Sequence, residues 1–380
     1  MKAVIYGAGN IGRGFIGALL SQAGYEVIFI DIGKQLVDAL NREKSYPLRI
    51  LSNEGHEDTE IRGICAINGK DGAATSEAIA GSDLMATAVG ANLLSAIAPK
   101  IAEGLRLRFR RSEAPLNILI AENLMDAGQI LHDLVGKCLS EGERRIMDKR
   151  VGFVETSIGR MVPTQTEELR AGNPLRICVE SYDLLPVDRA AFKGNLPLID
   201  KMLPYSPFKY YLKRKMYIHN MGHCICAYMG MYTGKQYIWE AIANPGIELV
   251  VRKAMEESMR ALIAEYAIPA REIVAHIDDL LLRFGNRALA DTCLRVGKDP
   301  GRKLGAEDRL IGAAKNCLAQ GISPVNICTG TAAALYCYIK ENEITQSRET
   351  ALGVLRDISE LPENHALTGS ILDMYDHLIM

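Results

Sequence analysis

The chain opens with a strand-like apolar run, KAVIYG, that turns at once through Gly7-Ala8-Gly9-Asn10-Ile11-Gly12 into a segment of helical periodicity. Few short stretches constrain a fold as tightly. Strand, glycine turn and helix make the first half of a βαβ unit, in which Gly7 permits the turn, Gly9 lets a ligand approach the backbone and Gly12 lets the helix lie close to its strand. In the helical segment Ile11, Phe15, Leu19 and Leu20 recur at spacings near four, which gives one apolar face, and Gly24 is placed to end it. The next apolar run, EVIFID, closes on Asp31, 19 residues past Gly12.

The same rhythm continues through DLMATAVG, a helical stretch and LNILIAEN, with VGFVETSI from Val151 and LRICVES from Leu175 as further strand candidates. Short apolar runs alternating with helix-period segments predict an α/β fold, a doubly wound parallel sheet with helices on both faces. From about Lys209 the pattern changes to long helices, among them 248–267, 271–284, 325–339 and 350–361. At 380 residues the chain exceeds the roughly 250–300 at which one core stops growing. We therefore expect two domains, 1–195 with the sheet and 196–380 mostly α-helical, packed closely with a site between them.

Composition narrows the ligands. Lys and Arg number 44 against 46 Asp and Glu, a formal charge of -2, so nothing global draws the chain to nucleic acid or an anionic membrane, and an anionic ligand must be met by a local cluster. The run of Arg106, Arg108, Arg110 and Arg111 reads as a solvated helix end. The N-terminal apolar run is too short for a signal peptide or a membrane span, which leads us to expect a cytoplasmic protein. Nine cysteines without a C-x-x-C pair suggest neither a disulfide framework nor a zinc quartet, and Cys224 and Cys226 read as packing residues.

In this context the glycine motif is a dinucleotide fingerprint, with the helix N-terminus offering N–H groups and a favourable dipole to a pyrophosphate. Asp31 stands where a carboxylate accepts from the ribose 2′-hydroxyl and repels a 2′-phosphate, which favours NAD over NADP. The expected cofactor-binding set is Gly7, Gly9, Asn10, Ile11, Gly12, Asp31 and Thr87. Thr87 to Gly90 and Ala121 to Asn123 end later strand runs, at the sheet edge where such folds bind ligands.

One segment gathers chemistry. Lys215-Met-Tyr-Ile-His-Asn220-Met-Gly-His223 sets an amine, an amide and an imidazole at i, i+5 and i+8, which on an α-helix fall at about 0°, 140° and 80° on one broad face. A surface lysine and a satisfied core histidine are the commoner outcome of such spacing. No H-E-x-x-H segment accompanies the histidines, so no metal is expected.

The opening KAVIYGAGNIGRGFIGALL, LNILIAENLM, the K-x4-N-x2-H segment and GRKLGAEDRLIGAAK together resemble the polyol-specific long-chain dehydrogenase/reductase family, in its mannitol-1-phosphate 5-dehydrogenase branch. The resemblance implies a Rossmann-type first domain, a helical second domain and metal-free hydride transfer between NAD and a sugar-alcohol phosphate of the mannitol 1-phosphate or fructose 6-phosphate type. It makes Lys215 the general base, Asn220 and Asn123 donors to the reacting oxygen, and His223 the holder of a substrate hydroxyl or of that oxygen. Lysine suits the task only if burial or a nearby cation lowers its pKa. Arg302, Lys303 and Arg309 are the candidate phosphate clamp.

The chain also departs from the family pattern. Gly159, in Ser157-Ile-Gly159-Arg160, stands where an acid is usual, Gly285 where Glu is usual, and His219 where an apolar residue is usual. His219 is either a core histidine or a group that depresses the pKa of Lys215 when protonated. The alternatives are a hexuronate or unphosphorylated polyol enzyme, and an NAD- and sugar-binding sensor without turnover, against which the joint retention of Lys215, Asn220, His223 and Asn123 argues. The expected partner is a small molecule, with the chain a monomer or homodimer.

Overall fold

The computed structural model describes residues 1–380, in two compact units, Met1–Lys209 and Tyr210–Met380. The first unit runs β1 (Lys2–Tyr6), β2 (Glu26–Asp31), β3 (Ser45–Ser52), β4 (Gly55–Arg62), β5 (Ile64–Asn68), β6 (Leu84–Thr87), β7 (Leu116–Ile120), β8 (Val151–Glu155), β9 (Ile177–Glu180), β10 (Leu185–Asp188) and β11 (Met202–Tyr205). The main sheet has the order β5-β2-β1-β6-β7-β8 with every pairing parallel. The chain works outward from β1 on one side, then crosses to β6 on the other. That reversal opens a crevice at the carboxyl ends of β1 and β6, where doubly wound sheets bind ligands.

Side-chain alternation along the strands feeds two cores. Ala3 and Ile5 of β1 join Phe15, Ile16 and Leu20 on one face, while Val4 and Tyr6 join Ile97, Ile101 and Leu131 on the other. Both faces are covered, so the strands read as unbroken apolar runs, and each buried Ile, Leu or Phe contributes about 1.5–3 kcal/mol. The helix after the glycine turn begins as a widened π-type stretch, Gly12–Gly17, before tightening at Ala18–Gln22. A Cβ on Gly17 would come within 2.6 Å of the Phe29 ring, so the missing side chain lets this helix press onto the sheet.

Three expectations need correction here. The segment LRICVES supplies β9 not to the main sheet but to a small second one of order β4-β3-β9, built on a hairpin over residues 45–62 that the sequence reading leaves out. The division between units falls after Lys209 rather than at 195, because β11 pairs with β10 and so belongs to the first unit. Arg108 is not solvated at its helix end but buried, donating to the carbonyls of Ala80, Ser82, Ala114 and Pro115. It closes strand and helix ends that would otherwise leave carbonyls without donors.

The second unit is helical. Met221–Tyr232 packs against Pro245–Tyr266 and Val325–Glu341 at two glycine contacts, Gly222 on Met255 and Gly330 on Ile225. Asn244 caps Pro245–Tyr266 by accepting from Gly246 and Ile247 N–H, and buried Glu257 accepts from the N–H groups of Asn326 and Ile327 at the start of Val325–Glu341. Ala270–Phe284 and Arg348–Asp357 match two more expected helices, and Ala366–Ile379 adds one not anticipated. No helix is long and apolar enough to cross a membrane.

Candidate functional site

The first unit presents a cleft of about 300 Å³ at the carboxyl ends of β1 and β2, lined by Gly7, Gly9, Asp31, Ile32, Val89 and Leu93 among others. Gly7 holds φ +101°, and a Cβ there would lie 2.5 Å from the Ala88 carbonyl oxygen, so only glycine makes this turn. A Cβ on Gly12 would lie 2.0 Å from the Gly7 carbonyl oxygen, whereas a Cβ on Gly9 would meet nothing within 4 Å. The first and third glycines are therefore fixed by packing and the second faces open space. Asn10 is exposed and Ile11 partly so, at the helix start, where free N–H groups point outward.

Asp31 has a second task beyond the one expected. Its Oδ2 accepts from Ala8 N–H at 2.9 Å and its Oδ1 from Gly33 N–H at 2.8 Å, so the carboxylate anchors the glycine turn to the end of β2. A carboxylate has about four acceptor positions. Two remain for ribose hydroxyls. Exposed Ile32 and Leu93 offer apolar walls of the kind a purine ring covers, and Lys100, which the sequence reading passes over, adds a cation to the lining. These residues fit a dinucleotide.

Thr87 does not. It is fully buried and its hydroxyl donates at 2.6 Å to Glu122, so its expected role as a cofactor contact is withdrawn. Glu122, absent from the expected site, is buried beside the exposed Asn123. Arg13, following the fingerprint, is buried too, donating to the Ala8 and Leu175 carbonyls, and braces the turn rather than facing a ligand.

In the second unit Lys215–Asn220 forms a π-type turn between the α-helices Lys209–Arg214 and Met221–Tyr232. A π turn takes about 4.4 residues, near 82° each, so Asn220 sits about 50° around from Lys215 rather than the 140° of an α-helix. The amine and amide are drawn onto one side. Lys215 is partly accessible along its length, but desolvation of the ammonium, with the charge of Arg309 adding to it, lowers its pKa to about 8. His219 is buried, and desolvation followed by repulsion from Arg283, His223, His276 and Lys215 holds its pKa well below the usual imidazole range. It is a neutral core histidine and adds no charge against the lysine.

His223 stacks on Phe284 with ring centroids 4.7 Å apart at 14°, and its Nε2 lies 3.3 Å from Asp291 Oδ2, at ion-pair distance but too bent for a well-formed hydrogen bond. Asp291 is itself held by Arg295 Nε at 2.6 Å. Neither Asp291 nor Phe284 was an expected site residue. His219 and His223 do stand at a ligand-pair spacing, H-x3-H, which the sequence reading overlooks. No three His, Cys, Asp or Glu side chains are grouped to hold a metal. Cys224 and Cys226 are buried, with thiols pushed up by desolvation, as packing residues are.

The three cations of GRKLGAEDRL are not an open clamp. Asp308 sits between two of them, accepting from Arg309 Nε at 2.7 Å and from Arg302 Nη1 at 3.2 Å. Lys303 is buried and turned inward onto the Lys298 carbonyl, with desolvation lowering its pKa to about 8, so it is removed from the proposed anion contacts. Gly159 lies against Tyr182, whose ring would be 2.8 Å from a Cβ at that position, so the place of the missing acid is filled by an aromatic ring. Gly285 has φ -76°, which any residue adopts, and nothing in the structure explains the glycine there.

Among solved structures, the chain is similar to the ternary complex of Pseudomonas fluorescens mannitol 2-dehydrogenase with NAD and D-mannitol, with a TM-score of 0.80 at 15% identity over 100% of this chain and 92% of that one. A substrate-free D-sorbitol dehydrogenase gives 0.81 at 14% identity over 100% and 93%. A PanE/ApbA-family ketopantoate reductase from Ralstonia eutropha JMP134 gives 0.51 at 18% identity over 90% and 100%. The mannitol dehydrogenase Rossmann domain matches residues 1–201, and the mannitol dehydrogenase C-terminal domain matches residues 208–371. With both domain types matched in order across nearly its whole length, the chain belongs to the mannitol dehydrogenase family.

Proposed function

We propose that this protein is an NAD-dependent dehydrogenase that converts a secondary hydroxyl of a sugar-alcohol phosphate, of the mannitol 1-phosphate type, to the ketone and back, with a lysine base and no metal. One observation carries the reading. Lys215 is an amine with a pKa near 8 at the start of a widened helical turn that ends on Asn220, and a base poised near working pH is what alcohol oxidation requires. When bound, NAD supplies the hydride acceptor. Lys215 takes the hydroxyl proton, Asn220 donates to the oxygen as negative charge builds on it, and His223, steadied by Phe284 and Asp291, holds a neighbouring hydroxyl.

For the phosphate we assign Arg302 and Arg309. Each guanidinium keeps N–H groups beyond the one given to Asp308, and a planar fork can be shared between a carboxylate and a phosphate. Asp308 also supports a second reading, an unphosphorylated polyol or hexuronate substrate, because it offsets much of their charge. NADH formation across polyols, polyol phosphates and aldonates tests both. A kcat/KM for mannitol 1-phosphate far above that for mannitol, lost in Arg302→Ala, is expected; equal efficiency would move the second reading ahead. Lys215→Ala should lose several orders of magnitude in kcat while keeping NADH affinity, and a modest loss would remove Lys215 as the base.

A further inference from the structure

Glu122 is a buried acid that the proposed chemistry leaves without a task. It lies just past β7, next in sequence to exposed Asn123, and only 5% of its surface is accessible. Its Oε2 accepts from the Thr87 hydroxyl at 2.6 Å and its Oε1 from Val89 N–H at 3.0 Å, with Gly90 N–H as a further donor. Thr87 ends β6 and Ala88 to Gly90 form the turn after it; β6 is the strand next to β7, and the switch point lies between it and β1. That turn presses on the fingerprint, since Ala88 and Val89 fill the space beside Gly7, and Val89 lines the cleft. Desolvation raises the Glu122 pKa and these donors oppose the rise.

Burying a carboxyl costs free energy that a plain apolar residue would avoid. Here it joins two turns that the sheet leaves without a backbone ladder, since beyond Ala121 N–H to Thr87 C=O at 3.0 Å the strands have ended. We propose that Glu122 is a positioning residue, a latch that fixes the turn after β6 against Asn123 and thereby sets where the nicotinamide half of a bound dinucleotide lies. The inference rests on the NAD reading above but not on which polyol is the substrate.

The adenosine end keeps Asp31 and the fingerprint when the latch is cut and shares only Ala88 and Val89 with the turn, so the loss falls mainly on the other half of the cofactor. Affinities for NADH and for ADP-ribose, measured by titration of the full-length chain, therefore separate it from a general structural role. Glu122→Ala is expected to weaken NADH binding about tenfold while leaving ADP-ribose within about twofold, and to lower kcat on the best polyol substrate by a further 10- to 100-fold, as a displacement near 1 Å would. Glu122→Gln keeps an acceptor for Val89 N–H and an N–H for the Thr87 oxygen, and recovers most of both losses. Thr87→Val removes one donor at constant shape and falls between. Equal loss of NADH and ADP-ribose binding, or wild-type behaviour of Glu122→Ala, would overturn the latch. Failure of Glu122→Gln to recover would also overturn it, by showing that the charge itself is used. If no polyol is turned over by the wild type, the proposed substrate class fails while the two affinities still decide the latch.

Discussion

Replacing Lys215 with Met should make the protein more stable at neutral pH and inactive. The folded chain holds this amine at a pKa of about 8, against 10.5 for an unburied lysine, with desolvation the larger cause and Arg309 the smaller. A shift of that size corresponds to about 3 kcal/mol of penalty on the charged form. Because the folded-state pKa is lowered, the unfolded chain holds a proton that the folded chain releases, so stability rises with pH between about 8 and 10.5, and the full cost applies below about 8. Met keeps the length of the side chain without a charge to desolvate, so Lys215→Met should gain about 2–3 kcal/mol at pH 7. The gain should shrink by about 1.4 kcal/mol per pH unit above 8. The only tryptophan, Trp239, lies in the helical unit, so urea unfolding followed by its fluorescence reports on the right part of the chain. A variant no more stable than wild type at pH 7, or a gain that does not fall by pH 9.5, would refute a desolvated amine and with it the source of the base.

For oxidation of the best polyol substrate, kcat/KM should climb tenfold per pH unit up to about 8 and then level, as Lys215 loses its proton, with a flat profile counting against the assignment. Arg309→Gln removes the cation that adds to desolvation and should move that midpoint upward; a downward move contradicts the cause given. Asp31→Ala should weaken NAD binding about tenfold and narrow the preference over NADP, since it removes both the ribose acceptor and the anchor for Ala8 N–H; an unchanged cofactor preference in initial-rate assays would remove Asp31 from the ribose. Gly159→Asp should cost about 1–3 kcal/mol through its clash with Tyr182, as overpacking does, and Tyr182→Ala should relieve most of it in the double variant; simple addition of the two losses in thermal unfolding would show that the residues do not compete for space.

The parts legible in the sequence were those encoded locally. Gly7, Gly12 and Asp31 could be placed because a turn, a close approach and a strand end each demand a residue type within a few positions of one another, and the alternating runs named the parallel sheet. The hairpin over 45–62 escaped because β4, GHEDTEIR, is almost wholly exposed and carries neither an apolar alternation nor a continuous apolar run. Arg108 and Lys303 escaped for another reason: a buried cation is satisfied by carbonyls whose positions only the folded chain provides. Glu122, one residue from an expected site residue, gave no signal because its donors come from a turn 32 to 35 positions earlier. In the helical unit the candidate residues Lys215, Asn220 and His223 lie in one contiguous segment, which makes them visible as a group, but the π-type turn that sets their phase leaves no mark in the sequence.

That phase bears on any effort to stabilise this protein by engineering. The π turn at Lys215–Asn220 holds one residue more than an α-helical turn would, and the two registers differ by a slide of a single peptide. Substitutions of the usual kind, strong helix formers placed through Met216 to Ile218, favour the tighter register and would raise the melting temperature while swinging Asn220 some 90° away from the lysine. A deletion of one residue in the segment would do the same at a stroke. On the proposed chemistry, thermal robustness and turnover pull in opposite directions at this wide turn, and consensus-driven optimisation should leave its six residues alone.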